Sequence, residues 1–202
     1  TLGLQTFCYD PFLTPADNPD LCSLDEVLSA DVVCLHTPLT RDGDHPTWHL
    51  LDETRLRQLQ SGCLLINAGR GPAIDNQALK RVLAERSDLT AVLDVWEPEP
   101  NLDVQLMSQV ALASPHIAGY SYDGKVEGTA MIYRALCGYL GCEEAVSAVD
   151  LLRDDASGHQ LLLLPDADEL TTGSVQALAN GLILQAYDVK ADDRRMREKL
   201  VS

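Results

Sequence analysis

The chain has 202 residues, of which 46% are hydrophobic and 23% charged, with 15 Lys and Arg against 31 Asp and Glu and a net charge of −16. At about 100–200 residues per domain that length makes one domain and part of a second. So large an acidic surplus argues against nucleic acid or an anionic membrane as a partner, because phosphate surfaces call for a local excess of Lys and Arg, and no apolar run approaches the roughly 20 residues that span a bilayer.

Gln5–Asp10 reads as a strand ended by Pro11, and a polar, Pro-bearing loop follows to Asp20. Ser23-Leu24-Asp25-Glu26 opens a helix with a capping-box pattern, Ser three residues before Glu. Asp31–His36 is the next strand and stops at Thr37-Pro38. A helix is predicted over Asp52–Gln60, a strand over Cys63–Asn67, a helix over Asp75–Arg86 and a strand over Leu89–Val95. A short helix at Leu102–Met107 leads to a last strand, Val110–Ser114, closed by Pro115. The strands are continuously apolar, which predicts a sheet covered by helices on both faces. Strand–helix–strand repeats make it parallel, and ligands then bind at the carboxyl ends of the strands. Gly124–Leu140 is predicted helical. Beyond it the pattern changes to a small α+β unit. It takes helix or strand at Ala145–Leu152, a turn at Asp154–Gly158, a strand at Gln160–Leu164, a helix from Thr172 or Ser174 to Tyr187 and a charged stretch from Asp192 to Lys199.

Six scattered cysteines (8, 22, 34, 63, 137, 142) show no C-x-x-C and no paired Cys/His spacing. Neither a zinc site nor a disulfide framework is expected, and a reducing cytoplasm is the default compartment.

The strand ends hold the chemistry. Asn67-Ala68-Gly69-Arg70-Gly71 follows a buried strand; its glycines permit a tight turn, and its Arg presents a planar fork suited to a carboxylate. Glu99 stands between Pro98 and Pro100, just past a strand end, and His116 follows Ser114-Pro115. Read singly, each has a bland alternative: a solvated Arg, a solvated loop acid, a hydrogen-bonded loop His. Together they lie on the one edge of the sheet where a ligand is expected. A carboxylate beside an imidazole orients the ring and favours its protonated form, and His suits proton transfer near neutral pH. With the Arg gripping a carboxylate, this is equipment for moving a proton on a hydroxyl or carbonyl beside that carboxylate.

Asn67–Gly71, then Leu93-Asp94-Val95-Trp96-Glu97-Pro98-Glu99-Pro100, then Ser114-Pro115-His116-Ile117-Ala118-Gly119, resemble the signatures of the D-isomer-specific 2-hydroxyacid dehydrogenases, with the spacing of that family's triad. His36–Gly43, His116–Lys125 and Ala186–Asp193 are similar to a branch of the family that acts on a phosphorylated acid and carries an extra terminal domain. The resemblance implies half of a Rossmann-type NAD-binding domain over 1–118, a helix over 119–141 leading toward a substrate lobe, and part of a dimerisation domain over 142–202 of a homodimer. It implies Arg70, Glu99 and His116 as catalytic residues. Arg70 would bind the substrate carboxylate, His116 would exchange the hydroxyl proton, and Glu99 would hold His116. For the NAD cofactor it implies Asp10 at the adenosine ribose, Thr37, Ala68, Gly69 and Arg70 along the groove, Asp94 at the carboxamide and Gly119 near the nicotinamide. Tyr120 is implied at the substrate, a phosphorylated 2-hydroxy acid. Another 2-hydroxy acid such as phosphoglycerate, or a non-enzymatic module on the same fold, remain as alternatives.

The family also carries a G-x-G-x-x-G turn about 20 residues before its ribose-binding acid. Here nine residues precede Asp10, with Gly3 as the one glycine among them. The chain, which opens at Thr1 without a Met or a signal-peptide pattern, is therefore expected to be an internal piece of a longer enzyme, inactive by itself.

Overall fold

A computed structural model describes residues 4–147, 177, 179–181, 183–184 and 187–201. The expected turn at 154–158 and strand at 160–164 lie outside the described residues, as do most of the segment at 145–152 and of the helix before Tyr187.

Four parallel strands, β1 (Val32–Leu35), β2 (Leu64–Asn67), β3 (Thr90–Leu93) and β4 (Leu112–Ala113), lie side by side in chain order. Val33 is in register with Leu65 and Leu65 with Ala91, while Leu93 pairs with Ala113. Helices fill the crossovers that parallel pairing demands. They are α2 (Glu53–Gln58), α3 (Asn76–Glu85) and α4 (Val104–Gln109), while α1 (Leu24–Leu28) leads into β1. Side chains set where they begin. At α1 the Ser23 hydroxyl accepts from the Glu26 amide and the Glu26 carboxylate accepts from the Ser23 amide, the predicted capping box. Asp52, Asp75 and Asp103 cap α2, α3 and α4.

Burial alternates along the strands instead of covering both faces. Val33, Leu35, Leu65, Ala91, Leu93 and Ala113 are buried and share one core with Leu28, Leu56, Leu79, Val82, Leu106 and Met107 from the helices. On the opposite face Val32 is 45% exposed and Cys34 is exposed, so the expectation of two covered faces holds for one of them. The predicted strand at Gln5–Asp10 shrinks to a single parallel bridge between Cys8 and Leu21. The Cys8 amide donates to the Asp20 carbonyl and its carbonyl accepts from the Cys22 amide. A β-propensity run becomes a strand only where a ladder of partners meets it, and this one meets a loop.

The described chain divides into two compact units, Thr1–His116 with Val189–Ser202, and Ile117–Asp188. Helix α6 (Val189–Val201), which falls in the expected 142–202 region, groups with the first unit, where it packs on β4 and α4. Its Asp193 carboxylate accepts from the Ala113 amide on the outer edge of β4 (2.7 Å). Arg197 pairs with Asp193 and donates to the Met107 and Val110 carbonyls at the end of α4. An exposed strand edge and an uncapped helix end are thus satisfied by one Asp–Arg pair. In the second unit, α5 (Tyr122–Leu140) starts at the Ser121 hydroxyl, which accepts from the Gly124 amide, and ends at Gly141 in a left-handed conformation (φ 67°). No helix among the described residues is long and apolar enough to cross a membrane.

Asp103 offers a test of the capping energetics. One carboxylate oxygen accepts from the Gln105 and Leu106 amides, and the other meets Lys80 and Gln77. Burial pushes this carboxyl up, but Lys80, the Leu106 amide and Gln77 outweigh it and hold it below the ordinary value. A folded-state pKa below the unfolded one stabilises above the unfolded value and loses that contribution as pH falls through the folded value. Asp103→Asn keeps the cap and removes the charge, so about 1 kcal/mol is expected to be lost near pH 7, with the gap to wild type closing below about pH 4. Urea unfolding at the two pH values checks it.

Candidate active site

The exits of β2, β3 and β4 converge through backbone and side-chain bonds. At the end of β2, Asn67 is fully buried; its amide nitrogen donates to the Arg70 carbonyl (3.0 Å) and its amide oxygen accepts from the Gly69 amide (3.2 Å). That double bond closes the Asn67–Arg70 turn and aims Arg70 outward, where its Nη1 donates to the Gly69 carbonyl (2.8 Å). Gly69 is required by closeness: a Cβ there would stand 3.0 Å from the Leu35 carbonyl oxygen and 3.2 Å from the His36 Cα. The missing side chain lets the β2 exit lie against the β1 exit, where Thr37 sits.

Beyond β3, Trp96 is buried, and its indole N–H donates to the Ser114 carbonyl (3.0 Å). The Trp96 amide donates to Oε1 of Glu99 (2.9 Å), while Glu99 Oε2 lies 2.8 Å from Nδ1 of His116. Glu99 is thereby held from two sides. His116 adopts a left-handed backbone (φ 58°), rare for a residue with a side chain, and its amide donates to the Asp94 carbonyl (2.7 Å). Strain of this kind persists only where surrounding bonds over-determine it, and it concentrates at functional sites. The His116 side chain is 47% exposed, and its Nε2 makes no hydrogen bond among the described residues.

Arg70, Glu99 and His116 thus all stand at strand carboxyl ends, and the structure joins two of them directly. Arg70 makes no hydrogen bond to the pair. Asp94 is buried at the β3 exit; its amide donates to the Asn67 carbonyl and its carboxylate accepts from the Ser114 hydroxyl (2.6 Å). Ala68 is half-buried in the turn. Asp10 serves a turn, one carboxylate oxygen accepting from the Phe12 amide (2.9 Å). Gly119 and Tyr120 belong to the second unit. There the Lys125 ammonium stands 3.3 Å over the Tyr120 ring, and hydrogen bonding and charge from Lys125 hold that phenol below its ordinary pKa.

Sequence reasoning passed over Ser114 and Trp96 as working parts. A polar residue beside a Pro at a strand end, and a Trp opening an acid–proline run, were the available signals.

The residues fit a dinucleotide on a structural observation. Thr37 Oγ1 is a buried hydroxyl without a hydrogen-bond partner, the one such side-chain atom among the described residues. Leaving a buried hydroxyl unpaired costs about 1–3 kcal/mol, and it lies at a β1 exit kept narrow by Gly69. A ligand running along that groove would satisfy it.

Comparison with known proteins gives the same assignment. Residues 1–118 match the family described as D-isomer specific 2-hydroxyacid dehydrogenase, NAD binding domain. Over 201 residues the chain is 49% identical to an erythronate-4-phosphate dehydrogenase of Cellvibrio japonicus, covering 98% of this chain and 50% of that protein. The enzyme of the same name from Pseudomonas putida is 46% identical over 200 residues, with 98% and 51% covered. The chain therefore spans about half the length of the curated relatives it matches. Among solved structures, D-lactate dehydrogenase from Aquifex aeolicus complexed with NAD and lactic acid superposes with a TM-score of 0.54 at 27% identity, covering 67% of this chain and 47% of that one. A glyoxylate reductase from Paecilomyes thermophila gives 0.53 at 27% identity, with 62% and 38% covered. The chain belongs to the D-isomer-specific 2-hydroxyacid dehydrogenases, and its first 118 residues match the NAD-binding domain of that family.

Proposed function

We propose that this chain supplies the proton-transfer half of an NAD-dependent oxidation of 4-phospho-D-erythronate to 2-oxo-3-hydroxy-4-phosphobutanoate, a step of pyridoxal phosphate (vitamin B6) synthesis. The observation that carries the reading is the Glu99–His116 pair at a strand end, fixed through Nδ1 with Nε2 left for a substrate. Its support for this substrate is the likeness, at 46–49% identity, to enzymes named for it.

Arg70 takes the substrate carboxylate in its guanidinium fork, which sets the C2 hydroxyl toward His116. His116 Nε2 accepts the hydroxyl proton as the C2–H bond breaks, and returns it to the C2 oxygen in reverse. Glu99, accepting at Nδ1, keeps the ring in the tautomer whose Nε2 bears the lone pair and stabilises the imidazolium that forms. The bound NAD supplies the hydride acceptor. When NAD is bound, Thr37, Ala68, Gly69 and Arg70 would line its groove, Asp10 would accept from the ribose hydroxyls, Asp94 would meet the carboxamide, and Gly119 would leave room beside the nicotinamide. Tyr120 contacts the substrate. The protein works in the cytoplasm as a homodimer, with 119–141 connecting toward the substrate lobe and the 142–202 region contributing to dimerisation.

NADH formation by the protein expressed from its natural reading frame tests this. A kcat/KM at least about ten-fold higher for 4-phospho-D-erythronate than for 3-phospho-D-glycerate is expected. Preference for phosphoglycerate would assign a different reaction of the family, and no NADH from either acid would favour a binding module.

A further inference from the structure

A second imidazole–carboxylate pair lies beside the first, and none of the roles assigned above uses it. His49 Nε2 stands 3.1 and 3.0 Å from the two carboxylate oxygens of Glu97, and its Nδ1 is 3.8 Å from Asp75. The pair is half-buried, the His49 side chain 30% and Glu97 20% exposed, and the ring stacks on Trp48 with centroids 4.6 Å apart. Like His116, His49 has a left-handed backbone (φ 51°); no other residues than these two, glycines aside, have positive φ among the described residues.

What His49 connects gives the pair its meaning. The His49 amide donates to the Pro72 carbonyl (2.8 Å) and the Leu51 amide to the Ala73 carbonyl (3.0 Å), so its segment runs alongside the residues that directly follow Arg70. Glu97, on the other side, belongs to the loop that carries Glu99 two residues later. Pro98 and Pro100 have no amide hydrogens, so that loop has few backbone donors of its own with which to fix itself. Its anchors are instead the Glu97 amide on the Asn76 side chain (3.1 Å), the Trp96 amide on Glu99, and the Glu97 carboxylate on His49. The short Trp96–Pro100 loop is thereby tied at Glu97 to His49 and at Glu99 to His116.

We propose that His49, acting through Glu97, is a positioning residue that sets Glu99 against His116. The inference rests on the catalytic reading of Glu99 and His116. His49 itself touches neither substrate nor cofactor in this scheme. It holds the loop, and a displaced loop withdraws Glu99 from Nδ1 while leaving Arg70 in place. The cost then falls on the proton-transfer step and not on substrate capture.

Steady-state kinetics on the protein expressed from its natural reading frame, with 4-phospho-D-erythronate and NAD, tests it. His49→Ala is expected to lower kcat about ten-fold with KM for the acid within about two-fold. His49→Gln, whose amide can still donate to Glu97, should recover about half of the lost rate constant. In a Glu99→Gln background, adding His49→Ala should cost less than about a further two-fold, because the effect travels through Glu99. An unchanged kcat in His49→Ala, a change confined to KM, or a loss that persists undiminished without Glu99 would each overturn the proposal. Should His49→Ala fail to fold, Glu97→Gln is read by the same criteria. If Glu99→Gln and His116→Ala themselves retain full turnover, the catalytic reading falls and this one with it. If those two lose turnover while the His49 and Glu97 variants do not, this one falls alone.

Discussion

Removing the His116 imidazole is expected to lower kcat by about 10²–10⁴-fold, the range a positioned general base contributes. KM for the acid should stay within about three-fold, since the carboxylate grip assigned to Arg70 is untouched. Two variants separate chemistry from folding. His116→Ala deletes the ring and keeps a Cβ at a left-handed backbone position (φ 58°); His116→Gly deletes the ring and relieves that strain. The ion pair lost with Glu99 is substantially exposed and contributes little to stability. His116→Gly should therefore unfold no more easily than wild type, and up to about 1 kcal/mol less easily, while being as inactive as His116→Ala. Steady-state rates and urea unfolding of both variants check this. Turnover undiminished in either variant would remove His116 from the proton transfer.

The same pair shows what a sequence can and cannot display. Helix starts were legible where their signals are local: Ser23 with Glu26, and Asp52 and Asp75 at the predicted starts. The helix expected at Leu102–Met107 begins two residues later, after the Asp103 cap. The strand ends were legible for a related reason, since apolar runs stop where the chain leaves the core, and Arg70, Glu99 and His116 all follow such stops. The Gln5–Asp10 strand misled because a strand is a property of its neighbours, and Cys8 finds only the bridge to Leu21. His49 and Glu97 stand 48 residues apart and carry no shared pattern, so nothing short of the folded register of Leu51 beside Ile74 brings them together. The orphaned Thr37 hydroxyl was likewise invisible, because lacking a partner is a statement about everything around it. Given the charge of −16, the anionic substrate proposed above would need a local concentration of positive charge, and at the strand ends this chain offers chiefly Arg70.

Gly71→Ala is expected to be the most damaging single methyl that can be added near the site. A Cβ at that position would stand 1.9 Å from the Trp96 carbonyl oxygen, 2.2 Å from its carbon and 2.7 Å from its nitrogen. All three are backbone atoms, so no side-chain rotation can relieve the overlap; one of the two segments must move by more than an ångström. Neither moves cheaply. Gly71 opens the turn of 3₁₀ helix at Gly71–Ala73, in which Ala73, like the Ile74 that follows, is fully buried. Trp96 is buried and pinned by Ser114, and its amide holds Glu99. Overpacking that displaces backbone in this setting costs about 3–5 kcal/mol, to be read as an earlier urea midpoint. Whatever protein stays folded should also lose about 100-fold in kcat, because a shifted Trp96 amide carries Glu99 away from His116. Gly128→Ala is the control. A Cβ there meets nothing within 4 Å, its φ is not positive, and it lies within α5, so the same methyl should stabilise by about 0.5–1 kcal/mol. Equal urea midpoints for Gly71→Ala and wild type would show that the β2 and β3 exits are not in the contact that brings Arg70 and Glu99 to one edge of the sheet.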